Sequence, residues 1–236
     1  YNELNKISSN VIKCSSKNID TSNLESVEKF IKKNKTADVL ILNTGGPPVK
    51  DFYKISEKEW SKYFNQLFLS FTIMLQKIKM NKGGYVFLIS SSIIKEPSVG
   101  LEISSSLRTG FVSLFKSISL HENNRNISFI NIAPGPFKTE RVKELVTNMK
   151  SFEKNLPTRK IGNPNEIGKF VRFVIENKIN GIMVIPPKGD SEKYFAETLK
   201  IAEKYKFKNI SMGMTNDYLQ AIKAGSTEVR IGEGIF

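Results

Sequence analysis

Residues 38–46 read DVLILNTGG, a short apolar run that ends in a pair of glycines. Apolar runs of this length without polar alternation are typical of strands that are covered on both faces. Similar runs recur along the chain and alternate with amphipathic segments, which predicts a parallel α/β sheet. The predicted strands cover residues 11–14, 38–43, 84–90, 127–132, 181–185, 209–212 and 228–231.

Several of the predicted helices have recognisable starts. Ser22 precedes Glu25 and Ser56 precedes Glu59, both at the three-residue spacing of a capping box. Residues 163–166, NPNE, combine a capping side chain, a proline at the first helical position and a glutamate at the third. These signals predict helices in the segments between the strands.

The composition is that of a soluble globular protein, with 39% hydrophobic and 25% charged residues among 236. No apolar run approaches the roughly 20 residues that span a bilayer, and the opening YNELNKISSN carries no secretory signal. The single Cys14 excludes an internal disulfide framework and a cysteine-based zinc site. We therefore predict no metal site and a cytoplasmic location.

The formal net charge of +13 raises the question of nucleic-acid binding. Lysines are spread through all of the predicted helices, whereas a nucleic-acid binder usually concentrates its basic residues on one element. This distribution favours a solvated basic surface. It leaves anionic cofactors, acidic metabolites and weak nucleic-acid contact open.

Further motifs follow residues 38–46 in a consistent order and spacing. Residues 84–91 read GYVFLISS, residues 130–135 read INIAPG, and residues 159–167 read RKIGNPNEI. Together with Asn43 and Gly45, these motifs make residues 11–178 resemble a divergent short-chain dehydrogenase/reductase of the oxoacyl-carrier-protein reductase-like kind. The resemblance implies a Rossmann-like parallel sheet with helices on both faces.

The resemblance also implies an activity and a cofactor. The activity is NAD(P)-linked oxidation or reduction of a small oxo or hydroxy compound. The family's adenine, glycine-motif and nicotinamide positions fall here on Asp20, Asn43, Gly45, Pro134, Gly135 and Thr139.

The catalytic positions depart from the family pattern. Ser91 matches the serine that stabilises the carbonyl oxygen, but Ser104 stands where the family has its proton-donating tyrosine. Arg108 replaces the lysine, and Leu67 replaces a helix asparagine of the proton relay. We expect Ser91 to polarise a carbonyl and Arg108 to bind a phosphate or carboxylate or to orient cofactor or substrate. Alternatively, Ser104 and Arg108 only cap and solubilise a helix.

The family begins with a strand, a Gly-x-x-x-Gly-x-Gly turn and a helix that hold the cofactor's pyrophosphate. No such motif precedes Asn43. We therefore expect a sheet that is truncated at the N-terminus and a weakened affinity for dinucleotides.

The end of the chain resembles a different family. Residues 181–190, 210–217 and 229–236 are similar to the last part of the pyridoxal-phosphate homeostasis proteins, which are alanine-racemase-like barrels. The resemblance implies pyridoxal phosphate as a second candidate cofactor, but nothing matches the lysine that forms the Schiff base. A phosphate-binding module without turnover and an inactive composite chain are therefore alternatives. By resemblance the phosphate contacts are Ser211, Thr215, Arg230 and Gly232.

The two resemblances divide the chain into residues 1–178 and 179–236, which we expect to pack as one body extended by two βα units. Residues 228–231 could pair with residues 38–43, as in a circular permutation, or extend the sheet beyond residues 181–185. We expect a small-molecule substrate, no specific nucleic acid and no membrane association. The sequence leaves homo-oligomer formation open.

Overall fold

The chain forms two compact units, Tyr1–Glu176 and Asn177–Phe236, and each is described by itself. The predicted packing of the two regions as one body stays a prediction. The computed structural model describes residues 1–121, 126–146, 148–156, 159–178, 182–183, 190–205, 207, 210–214 and 216–229.

The first unit alternates helices with parallel strands. Short 3₁₀ turns at Leu4–Lys6, Phe52–Lys54 and Ser92–Ile94 lie between the longer elements. In chain order those elements are α1 (Leu24–Lys33), β1 (Thr36–Leu42), α2 (Glu57–Phe64), α3 (Ser70–Lys77), β2 (Lys79–Ile89), α4 (Glu102–His121), β3 (Ser128–Ile132), α5 (Glu140–Leu145), α6 (Met149–Asn155) and α7 (Pro164–Glu176).

The sheet of this unit has the order β1-β2-β3, and its neighbouring strands run parallel. Near the carboxyl ends, Leu42 of β1 pairs with Leu88 of β2, and Ile89 pairs with Ile132 of β3. The loops that follow the three strands therefore leave the sheet at one edge. The strands predicted at 38–43, 84–90 and 127–132 are confirmed.

The strand predicted at residues 11–14 is wrong, since these residues carry no strand. Ile12 is 61% exposed, and Lys13 and Cys14 are exposed as well. Two β-branched residues beside a lysine offer too little apolar surface to hold a strand in a core.

Side chains of β2 point alternately to two cores. Val86 and Leu88 are buried on the face that packs against α1, α3 and α4. Tyr85 and Phe87 are buried on the opposite face against Val171 and Val174 of α7. The sheet thus carries helices on both faces, which confirms the predicted Rossmann-like α/β class.

Two predicted helix starts are confirmed. At α2 the Ser56 hydroxyl accepts a hydrogen bond from the backbone N–H of Glu59, and the Glu59 carboxylate accepts one from the backbone N–H of Ser56. At α7 the Glu166 carboxylate accepts a hydrogen bond from the backbone N–H of Asn163 at 3.2 Å. Reciprocal bonds of this kind satisfy N–H groups that a helix leaves without partners at its start.

The capping box predicted at Ser22 is wrong. Asn23 caps α1, and its side chain accepts hydrogen bonds from the backbone N–H groups of Glu25 and Ser26. Ser22 instead donates its hydroxyl and its backbone N–H to the carboxylate of Asp20. The nearby aspartate therefore takes the serine away from the helix start.

The second unit contains two βα pairs, which are β4 (Ile182–Met183) with α8 (Ser191–Tyr205) and β5 (Ile210–Ser211) with α9 (Tyr218–Lys223). The strands β4 and β5 pair in parallel and form a two-stranded sheet of their own among the described residues. Its core is formed by Phe195, Ala202, Ile210, Met212 and Ala221.

The pairing of residues 228–231 with residues 38–43 stays a prediction. Glu228 forms a bridge with Ser211, whereas β1 pairs with β2. Backbone hydrogen bonds explain the register, because the N–H of Met212 donates to the Glu228 carbonyl and the N–H of Glu228 donates to the Ile210 carbonyl, both at 3.1 Å. The segment is thereby held beside β5. Residues 230 and 231 lie outside the described part of the chain.

Candidate active site

A cleft of about 1550 Å³ opens in the first unit where β1, β2 and β3 end. In parallel α/β sheets the carboxyl ends of the strands form the usual place for ligands. The sequence-predicted site residues of this unit all line the cleft, and they are Asp20, Asn43, Gly45, Ser91, Ser104, Arg108, Pro134, Gly135 and Thr139. Residues that are up to 119 positions apart in the chain, such as Asp20 and Thr139, thus line one cleft.

The turn after β1 forms one wall of the cleft. A Cβ atom added to Gly45 would meet nothing within 4 Å, so this part of the backbone is open to a ligand. The hydroxyl of Thr44 lies 3.0 Å from the hydroxyl of Thr21, within hydrogen-bond distance. This contact ties the turn to the segment that carries Asp20.

Asp20 is held as a charged acceptor at the cleft. Hydrogen bonds from the hydroxyl and then the backbone N–H of Ser22 lower the pKa of its carboxyl group. Lys62 also lines the cleft and acts in the same direction through its charge. Asp20 is therefore ionised at neutral pH and available to accept hydrogen bonds from a ligand.

The loop after β2 holds Ser91 against the loop after β3. The backbone N–H of Ser90 donates to the carbonyl of Ile132 at 2.8 Å, and that of Ser92 donates to the carbonyl of Pro134 at 2.9 Å. Among the described residues, the Ser91 hydroxyl accepts only a long hydrogen bond of 3.4 Å, which comes from the backbone N–H of Ile93. Its proton is thus free to be donated into the cleft, beside Pro134 and Gly135.

Ser104 and Arg108 lie on the same face of α4, one turn apart. The Nε of Arg108 donates to the Ser104 Oγ at 3.3 Å, and its Nη2 donates to the backbone carbonyl of Thr44 at 3.2 Å. Ser104 is only 7% exposed, and burial lowers the pKa of the Arg108 guanidinium. The half-buried arginine thus bridges α4 and the turn after β1.

Gln66 is a cleft residue that the sequence analysis missed. A π-helical turn at Asn65–Leu69 joins α2 to α3. Within it Leu67, the residue at the family's asparagine position, is buried at 2% exposure. Gln66 lines the cleft, and its Nε2 donates to the Gly45 carbonyl at 3.0 Å and more weakly to the Thr44 hydroxyl at 3.4 Å. Turns of this kind are frequent at functional sites.

The predicted phosphate contacts of the second unit are described only in part. Ser211 lies in β5, and Thr215, Arg230 and Gly232 lie outside the described residues. Gly213, next to this strand's end, has φ of +94°, and a Cβ atom there would approach the Ala221 Cβ to 2.5 Å. A glycine is thus required at this turn whatever its function.

The described residues show neither a metal cluster nor a membrane-spanning helix. They contain no group of three or more His, Cys, Asp or Glu side chains arranged to hold a metal ion. In the same residues we find no helix with the length and apolar character needed to cross a membrane.

A protein-family model described as Enoyl-(Acyl carrier protein) reductase matches residues 3–184. The chain belongs to this family, whose members are short-chain dehydrogenases/reductases. It is 27% identical over 153 residues to the 3-oxoacyl-[acyl-carrier-protein] reductase FabG of Chlamydia trachomatis, covering 63% of this chain and 62% of that protein. It is 24% identical over 174 residues to carbonyl reductase family member 4 of Xenopus laevis, with 71% and 67% covered. The chain thus spans less than two thirds of the length of the first of these relatives.

Solved structures agree on the fold. A short-chain dehydrogenase/reductase from Serratia marcescens superposes with a TM-score of 0.59 at 20% identity, covering 66% of this chain and 67% of that one. A 4-hydroxyisoleucine dehydrogenase complexed with NADH superposes with a TM-score of 0.60 at 19% identity, covering 68% and 72%. The family match ends at residue 184, and the likeness of residues 179–236 to a pyridoxal-phosphate barrel finds no support in these comparisons.

Proposed function

We propose that this chain catalyses the NAD(P)-linked oxidation or reduction of a small oxo or hydroxy compound. The observation that carries the proposal is the convergence of Ser91, Ser104 and Arg108 with the predicted cofactor residues in one cleft. The family to which the chain belongs and an NADH-bound structure of the same fold support it.

The cleft fits the two ends of a dinucleotide. The ionised Asp20 offers an acceptor for the adenine amine, and the open backbone at Gly45 leaves room beside it. At the other end a Cβ atom on Gly135 would meet nothing within 4 Å, so the backbone beside Pro134 is also open, and Thr139 lines the same space.

When bound, the nicotinamide ring supplies a hydride to a carbonyl carbon or accepts one from a carbinol carbon. The Ser91 hydroxyl donates a hydrogen bond to the substrate oxygen and polarises the carbonyl. Ser104 donates a proton to that oxygen, and the Nε of Arg108 donates a hydrogen bond to the Ser104 Oγ. A serine hydroxyl is a much weaker acid than the family's activated tyrosine, so we expect slow turnover.

The proposal is tested by titrating the chain with NADH and NADPH, followed by fluorescence, and by measuring NAD(P)H consumption with simple ketones. Ser91→Ala should abolish turnover and Ser104→Ala should reduce it. Ser106→Ala is the matched control, because Ser106 is an exposed serine of the same helix that does not line the cleft. Turnover that survives Ser91→Ala, or the absence of dinucleotide binding at millimolar concentration, would overturn the proposal. Robust turnover that is lost with Ser91→Ala but survives Ser104→Ala would remove Ser104 from the donor role.

No described contact favours pyridoxal phosphate as the cofactor, since only Ser211 of its four predicted phosphate contacts lies in the described residues. The proposal therefore does not include it. The cytoplasmic location is proposed from the composition alone.

A further inference from the structure

The guanidinium of Arg108 is a largely buried cation that lacks an anionic partner within the described part of the chain. Its hydrogen bonds there go to two neutral acceptors, the Thr44 carbonyl and the Ser104 hydroxyl. No ion pair joins it to a described carboxylate, and burial is the sole cause that lowers its pKa. A buried charge is costly unless it is paired, so this cation presents uncompensated charge at the cleft.

The space in front of this cation is kept free by Gly46. A Cβ atom at this position would lie 3.7 Å from the Ser104 Oγ and 3.8 Å from the Arg108 Nη2. A larger side chain at position 46 would therefore fill the space beside both donors. With glycine there, a small ligand can reach the hydroxyl and the guanidinium together.

The spacing of the two donors limits the ligand. The Arg108 Nε donates to the Ser104 Oγ at 3.3 Å, so the guanidinium and the hydroxyl lie side by side. Acceptors bound by the remaining N–H groups of Arg108 and by the Ser104 hydroxyl must therefore be close neighbours in one molecule. If Ser104 meets the oxygen of the reacting carbonyl, as the proposed function requires, the anion bound by Arg108 lies one or two carbons away. A planar guanidinium matches a planar carboxylate through paired hydrogen bonds.

We propose that Arg108 binds the carboxylate of the substrate, so that the substrate is a short oxo acid, or the corresponding hydroxy acid, with its carboxylate one or two carbons from the reacting carbon. The inference rests on the proposed function, because that function places the oxygen of the reacting carbonyl at Ser104. Binding of the carboxylate by Arg108 can be measured without a dinucleotide.

The test compares acetoacetate with methyl acetoacetate, which has the same ketone and no charge, by calorimetric titration of the full chain. Hydrogen bonds to a charged group predict about tenfold or more tighter binding of acetoacetate. Arg108→Gln should bring the two affinities to parity. Lys116→Gln, which removes the same charge from an exposed position of α4, should leave the preference unchanged.

A second variant keeps the inference testable if Arg108→Gln fails to fold. Gly46→Val keeps the arginine and fills the space beside it, so it should lose acetoacetate binding while retaining the cooperative unfolding of the wild-type chain. Equal affinities in the wild-type chain, or a preference that persists in Arg108→Gln, would overturn the inference.

Parallel NADH titrations separate this inference from the proposed function. If Arg108→Gln weakens NADH binding and leaves the acetoacetate preference intact, the cation serves the cofactor's phosphates and the inference fails. If NADH does not bind but the preference depends on Arg108, the carboxylate site stands and the proposed function fails.

Discussion

Removing the side-chain amide of Gln66 should loosen the turn that follows β1. This amide donates to the Gly45 carbonyl at 3.0 Å, an ordinary length, and to the Thr44 hydroxyl at 3.4 Å, which is long. One such hydrogen bond contributes a net of about 0.5–1.5 kcal/mol to stability. We therefore expect Gln66→Ala to lower the free energy of unfolding by about 1 kcal/mol.

The assay is urea denaturation combined with an NADH titration of the same variant. If the hydrogen-bond energy is lost from the NADH-bound state alone, the affinity for NADH decreases at most about tenfold. A difference of 1.4 kcal/mol corresponds to a factor of ten in the dissociation constant. Gln76→Ala is the matched control, because Gln76 is exposed in α3 of the same helical stretch. The reasoning would be refuted if the two variants shifted the unfolding midpoint equally, or if Gln66→Ala changed neither quantity.

Other predictions concern the scaffold and the second cofactor. Hydrogen bonds from Lys50 and then Ser56 lower the pKa of Glu59 from 4.5 to about 2, so its stabilising contribution is present above pH 4.5 and is lost as the pH falls toward 2. The difference in urea midpoint between wild type and Glu59→Gln should shrink over that range. Gly84→Ala places a Cβ atom 2.6 and 2.9 Å from backbone carbonyl oxygens and should destabilise by about 1–3 kcal/mol. Gly110→Ala in α4 meets its nearest atom at 3.5 Å and should stabilise by up to about 1 kcal/mol, measured in the same way. Pyridoxal phosphate should bind weakly through its phosphate, and an internal-aldimine absorbance trapped by borohydride on one lysine would contradict this.

Much of the sheet could be predicted, because strands that are buried on both faces consist of uninterrupted apolar residues. The run from Tyr85 to Leu88 contains only apolar and aromatic residues, and the structure buries these residues alternately against two sets of helices. The site residues of the first unit came from the family resemblance, and the sheet explains why they share one cleft. Parallel strands end at one edge, so the polar and glycine residues after β1, β2 and β3 had to converge there.

Local competition explains the helix start that the sequence analysis placed wrongly. Ser22 has the spacing of a capping box, but Asp20 is two residues away and takes both of its hydrogen-bond donors. Asn23, one position later, is an equally good cap. Spacing alone does not distinguish these arrangements.

The residue of this helix that faces the cleft could not be predicted from the sequence, for a different reason. The π turn at Asn65–Leu69 accommodates its extra residue within a continuous helix, and apolar periodicity does not reveal such a turn. Gln66 therefore reaches the cleft, whereas alignment with the family pointed to Leu67. Likewise, backbone hydrogen bonds of Glu228 with Met212 and Ile210 hold Glu228 beside Ser211, and such contacts exist only in the folded chain.

Transfer of deuterium from NADH deuterated at C4 of the nicotinamide to acetoacetate tests the central claim most directly. Mass spectrometry of the product after long incubation detects turnover too slow for an absorbance assay. We predict a singly deuterated hydroxy acid with the wild-type chain, much less with Ser104→Ala and none with Ser91→Ala. A product without deuterium, or equal deuterium transfer by wild type and Ser91→Ala, would contradict the assignment of this cleft as the active site.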